Sequence, residues 1–157
     1  MDIIGKPSIN PILFFSGKIC GYLTWTALLL CWCNIEIVDC ISFSYNQYIS
    51  VAVYTIGFAF GIISIFNLGS STRFGLPTEQ TVFKTNGLYR ISRNPMYLGF
   101  DLMTLSAMIG TLNVIIALLG LYSILIYHFI ILAEEKFLER SFGEEYLNYK
   151  RKTRRYF

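Results

Sequence analysis

The stretch LGFDLMTLSAMIGTLNVIIALLGLYSILIYHFIIL, residues 98–132, governs how this chain can fold. Its only acidic or basic side chains are Asp101 and His128. A helix rises about 1.5 Å per residue, so one unbroken helix of this length would run to roughly 50 Å. The hydrocarbon core of a bilayer is only about 30 Å thick. The run is too long for one crossing, and Gly110-Thr111-Leu112-Asn113 is its natural turn. A tight helical hairpin is predicted, with helices over 96–109 and 112–132.

Two further apolar runs lie upstream. Ile12 to Cys33 is interrupted only by Lys18, and Tyr48 to Leu68 carries no charge. The expected architecture is all-α and integral to a membrane, with transmembrane helices over 12–33, 48–68, 96–109 and 112–132. Residues 1–157 then form a single domain. Composition agrees: 54% of residues are hydrophobic and 15% charged, against about 25% charged in a soluble domain. The first run does not resemble a secretory signal, since Lys18 sits in its apolar core and no small-residue cleavage pattern follows.

Charge placement orients the bundle. With the N-terminus inside, the inner segments are the first eleven residues, 69–95, and 133 onward. They hold 12 of the 13 Lys and Arg residues, the exception being Lys18. This excess on one side follows the positive-inside rule and predicts cytoplasmic N- and C-termini. Lys18 is expected to snorkel toward that surface. Gly17 and Gly21, and likewise Gly57 and Gly61, place small residues four apart, a spacing that lets helices approach closely in lipid. The cysteines, Cys20, Cys31, Cys33 and Cys40, form no C-x-x-C and have no His nearby, so no metal site is expected. Free thiols are the default reading, with a Cys33–Cys40 pair the alternative on an oxidising outer face.

Two polar segments flank the hairpin, 85–99 and 134–146. Two crossings separate them, so both should emerge on one face and form a pocket. The helix over 96–109 would be only about 21 Å long, which places Arg93, Asn94 and Pro95 at lipid depth. Irregular backbone there must be covered by protein or line a cavity. Gly143 is a suitable stop for the helix that carries Glu134 and Glu135, and a short amphipathic stretch from Glu144 follows.

The pattern G-x-Y-x-x-x-R-N-P-M-Y-x-G from Gly87 to Gly99, then a hairpin, then E-E-x-x-L-x-x-x-F-G-x-x-Y-x-x-Y from Glu134 to Tyr149, resembles the isoprenylcysteine carboxyl methyltransferases. It is similar also to the phospholipid N-methyltransferases and their bacterial relatives. The resemblance covers roughly residues 85–154. Asn94 stands where the usual motif has His; Asn can donate and accept hydrogen bonds but cannot titrate.

The resemblance implies S-adenosylmethionine as cofactor, surrounded by Gly87, Tyr89, Arg93, Asn94, Tyr97, Glu134 and Glu135. A Glu carboxylate suits ribose hydroxyls or the cofactor ammonium, and aromatic faces such as Tyr89 and Tyr97 attract a sulfonium. Arg93, or a tail cation such as Arg154, would position the acceptor, and these two are the candidate catalytic residues. The expected function is methyl transfer to a membrane-soluble acceptor, an isoprenylcysteine carboxylate or a lipid amine, entering from the inner leaflet. Membrane lipids are the expected surroundings, and no nucleic-acid partner is expected.

Two other functions stay open at the level of sequence. One is a membrane reductase using NADPH, since some sterol reductases have a similar layout. The other is a non-catalytic membrane protein whose basic face binds anionic lipid. Under the latter, Arg90 and Arg93 are headgroup anchors, Glu134 and Glu135 a solvated helix face, and Tyr146 and Tyr149 an interfacial aromatic belt. Asp101 either faces the bundle interior, as charges within membrane helices usually do, or lies near the inner boundary. His128 is expected to pack with one hydrogen bond.

Overall fold

A computed structural model describes residues 6–35, 45–69 and 83–156. Among the described residues the chain is helical: α1 (Pro11–Trp32), α2 (Tyr45–Leu68), α3 (Pro95–Thr111), α4 (Val114–Phe142) and α5 (Glu144–Lys152), with a short 3-10 turn at Gly87–Arg90 before α3. Three helices, α1, α2 and α4, are long and apolar enough to cross a membrane. At 17 residues α3 is the short one, about 25 Å long.

The helix starts are written locally. Asn10 accepts a hydrogen bond from the Ile12 N–H and Pro11 occupies the first turn of α1, where its missing N–H leaves no gap. Asn113 caps α4 by accepting from the N–H groups of Ile115 and Ile116. The hairpin turns between α3 and α4 at Leu112, which takes a left-handed φ of 46°. The turn thus falls at the end of the stretch Gly110–Asn113, and α3 runs two residues beyond its expected end. The fourth helix continues unbroken past residue 132 and stops at Gly143, whose φ of 51° ends it with an N–H to the Glu139 carbonyl. The apolar part of α4 is 114–132; from Glu134 onward its side chains are mostly polar.

Along α2 the packing is inverted relative to a soluble protein. On α2 the buried residues are Gln47, Ser50, Gly57, Gly61 and Ser64, while Ile56, Phe58, Ile62, Ile63 and Phe66 are exposed. In lipid there is no hydrophobic force between helices, so small residues and interhelical hydrogen bonds hold them together. Gly57 and Gly99 meet face to face: a Cβ on Gly99 would lie 2.6 Å from the Gly57 carbonyl oxygen and 2.7 Å from the Gly61 nitrogen. Deeper along the same pair, Ser106 donates to the Ser50 carbonyl at 2.7 Å and the Gln47 amide to the Gly110 carbonyl at 2.9 Å. Gly17 admits Ile126 between α1 and α4, and Ser123 donates to the Gly17 carbonyl at 2.9 Å. Both glycine pairs therefore serve helix contact.

Two expectations are corrected. Lys18 does not snorkel: it is 8% exposed, with its ammonium 4.0 Å above the ring of buried Phe14. The cysteines are not all free thiols. Cys20 and Cys33 are free, whereas Cys31 is disulfide-bonded. A Cys33–Cys40 pair is ruled out by the free Cys33 thiol, and Cys40 lies outside the described residues. Residues 70–82 of the expected inner loop lie outside them as well.

Candidate functional site

Glu135 is the hub of a buried polar cluster at one end of the bundle. It sits on the polar extension of α4 and is 3% exposed. Arg93, just before α3, grips it from one side: Nε and Nη2 donate to its carboxylate at 3.1–3.2 Å. Arg155, past α5, grips it from the other, with Nε and Nη2 at 3.0–3.2 Å. The Asn94 amide adds a third donor, 3.0 Å from Oε1. A carboxylate so far out of water is stable only with this density of charged donors. Hydrogen bonding to Glu135 in turn holds the Arg155 guanidinium above its usual range.

The C-terminal tail is sewn to the segment before α3. Ser92 and Arg154 form an isolated parallel bridge, with the Arg93 N–H donating to the Arg154 carbonyl at 2.9 Å. Arg93 Nη1 donates to the carbonyls of Thr153, at 2.6 Å, and Lys150, at 3.4 Å. Every nitrogen of the Arg93 guanidinium is thus engaged within the protein, and its side chain is 7% exposed. On the outer side Tyr149 donates to the Tyr89 carbonyl at 2.5 Å. Burial raises the Tyr149 hydroxyl above its ordinary range, so it remains a protonated donor at neutral pH. The ring of Phe83 packs on Phe142, Tyr146 and Tyr149. Tyr146 is therefore 1% exposed and part of this packing rather than an interfacial belt.

Glu134, the neighbouring residue, points about 100° away around α4 and has other partners. It is half-buried and accepts the Tyr97 hydroxyl at 2.8 Å. Tyr97 itself is 4% exposed, held by ring contacts to Phe100 and Tyr127. The charge of Glu134 is felt by Lys18 and by the Tyr89 hydroxyl, which burial, then Tyr149, then Glu134 push upward. Gly87, two residues before Tyr89, packs against α2. Its φ is +63°, and a Cβ there would meet the Asn67 side chain at 2.3 Å, so glycine is needed both for the backbone turn and for the close approach. The Asn67 Nδ2 is buried and has no acceptor among the described residues.

Of the residues anticipated from sequence, Arg93, Asn94 and Glu135 converge on one ion cluster, while Tyr97 and Glu134 pair beside it. Tyr89 feels the charge of Glu134, and Gly87 packs against Asn67 of α2. Arg154 is the exception: its backbone joins the bridge, but its side chain is exposed. The tail cation that reaches the cluster is Arg155. Beyond Lys152 the chain is extended, with Thr153 at φ −122° and ψ 131°, so successive side chains alternate sides. Thr153 is buried, Arg154 exposed and Arg155 directed inward. Ser92, whose hydroxyl donates to the Arg155 carbonyl at 3.0 Å, was also missed. A run of cations carries no periodic signal that picks one arginine over its neighbour.

A model of the phospholipid methyltransferase family matches residues 45–145, from the start of α2 to the first turn of α5. The chain belongs to that family. The matched segment of this membrane methyltransferase family member contains the hairpin, the first half of the motif, Gly87–Gly99, and the second half from Glu134 as far as Glu145, leaving Tyr146 and Tyr149 beyond it. The tail groups that complete the cluster, Arg155 and the carbonyls of Lys150, Thr153 and Arg154, lie outside it, as does Lys18 on α1, whose charge Glu134 feels. A comparison with curated proteins finds none that matches.

Proposed function

We propose that the protein transfers a methyl group from S-adenosylmethionine to an amine on a membrane lipid, at a site built around Glu134, Tyr97, Tyr89, Gly87 and Asn67. Membership of the phospholipid methyltransferase family is the observation that carries this reading, and a lipid amine is the acceptor it favours over an isoprenylcysteine carboxylate. We read α3 as a fourth, short crossing and both termini as cytoplasmic, supported by the concentration of cations in the segments at that end.

The residues present fit the cofactor. When bound, S-adenosylmethionine supplies an electrophilic methyl group on a sulfonium. Glu134 offers a half-buried carboxylate to ribose hydroxyls or an ammonium, and the Tyr97 hydroxyl fixes its orientation at 2.8 Å. The Asn67 Nδ2 beside Gly87, which has no acceptor among the described residues, offers a donor to a cofactor oxygen or ring nitrogen. Tyr89 presents an aromatic ring to a sulfonium. Arg93 and Glu135 act by position, clamping α3, α4 and the tail so that these groups stay aligned. In a displacement of this kind alignment supplies about 7–11 kcal/mol of the barrier. Asn94 serves the clamp as a donor to Glu135, which requires no titration.

The test is ligand-dependent melting of the detergent-solubilised protein together with radiolabelled methyl transfer to phosphatidylethanolamine vesicles. S-adenosylhomocysteine should raise the melting temperature and NADPH should not, and label should enter the lipid. Stabilisation by NADPH alone would assign the site to a reductase and end this reading.

A further inference from the structure

Asp101 lies one turn beyond Tyr97 on α3, four residues on and so on the same side of the helix. Its Oδ1 is buried and has no hydrogen-bond partner among the described residues. A carboxylate oxygen left bare out of water is costly unless a cation or donor comes to meet it. The groups around it do not fill that role. Its charge is felt by Tyr127 on α4 and by Tyr156 in the tail. The Tyr156 hydroxyl, however, is bonded to His128 Nδ1 at 2.6 Å, and the two rings stack. The Tyr127 ring lies 5.7 Å from the Tyr97 ring, whose hydroxyl holds Glu134. Asp101 therefore lies one helical turn beyond Tyr97, which holds Glu134, and toward the apolar part of α3.

An amine at neutral pH arrives as an ammonium with no lone pair and must lose a proton before it can attack. We propose that Asp101 binds the acceptor's ammonium and takes that proton. This inference rests on the amine reading above and adds the residue that does the acid–base work. The balance is simple: one N–H bond breaks and its proton passes to the Asp101 carboxylate. The freed nitrogen pair forms a bond to the methyl carbon as the carbon–sulfur bond breaks, its electrons staying on sulfur. The nitrogen ends as a methylated ammonium and Asp101 as the neutral acid, which returns its proton to water when product leaves. Asn94 cannot take this role because an amide does not titrate. His128 Nδ1 is occupied by Tyr156.

The experiment compares wild type with Asp101→Asn, full-length, in nanodiscs containing phosphatidylethanolamine. Wild type should methylate the lipid. The variant should bind S-adenosylhomocysteine with unchanged affinity by calorimetry yet lose about 10²–10⁴-fold in kcat, the usual worth of a general base. Its residual rate should climb as solution pH rises and the amine deprotonates unaided, a climb that Tyr127, Tyr156 and His128, present in both proteins, do not produce in wild type. A wild-type-like kcat in Asp101→Asn would overturn the proposal. Should that variant fail to bind S-adenosylhomocysteine, Asp101→Glu decides: recovered turnover supports a carboxylate role, and a folded, ligand-binding but inactive Glu variant overturns it. If wild type methylates only a carboxylate lipid, the amine reading itself has failed, and that is visible before any variant is made.

Discussion

At the scale of single residues, the two adjacent glutamates show how one helical step separates roles. Glu135 faces α3 and the tail and is enclosed by Arg93, Asn94 and Arg155. Removing it leaves the Arg93 guanidinium buried without a counter-charge, a change that typically costs about 3–5 kcal/mol. Glu135→Ala should therefore lower the unfolding midpoint sharply in a mixed-micelle denaturation series. Glu139→Ala is the control: Glu139 pairs with Lys150 between α4 and α5, both partly solvated, and such a pair contributes about 0–1 kcal/mol. Equal losses in the two variants would show that the cluster does not anchor the fold. The Glu-Glu pair and the Arg-Asn-Pro step were legible from their order around a hairpin. That Arg93 is spent on Glu135 and on tail carbonyls was not, because a side chain's partners depend on elements far away in sequence.

At the scale of elements, the α2–α3 contact is set by backbone approaching backbone. A methyl group on Gly99 would meet the Gly57 oxygen and Gly61 nitrogen well inside contact distance, and neither backbone atom can swing away as a flexible side chain would. Gly99→Ala should cost about 1–3 kcal/mol by overpacking. Gly61→Ala should be near neutral, since its Cβ would find only the Phe100 ring edge at 3.8 Å. Melting the two variants in the same detergent tests this; a harmless Gly99→Ala would mean that the helices are not held at that distance. The glycine spacing on α2 was readable, but its partner on α3 was not. The apolar runs were readable because length and lack of charge are local properties. The turn was readable to within the four residues Gly110–Asn113, but its left-handed residue, Leu112, was not, since a left-handed non-glycine residue is fixed by the helices on either side.

At the scale of the whole molecule, the last residues lock the site. Thr153 and Arg154 carbonyls hold Arg93, Arg155 closes on Glu135, and Tyr156 reaches His128. A chain ending at Lys152 should keep its helices by far-ultraviolet circular dichroism and lose stabilisation by S-adenosylhomocysteine; undiminished ligand stabilisation would show that the tail is dispensable. The sequence by itself determined an all-helical chain with long apolar segments, a hairpin between two polar motifs, and the family those motifs resemble, because periodicity, hydrophobic length and motif order act along the chain. Only the tertiary structure decided that Arg155 rather than Arg154 turns inward, that Lys18 is buried over Phe14 instead of reaching a surface, and that a buried Asp101 oxygen has no partner among the described residues. Those outcomes depend on which groups meet across helices distant in sequence, where burial makes each unpaired charge costly enough to dictate its partners.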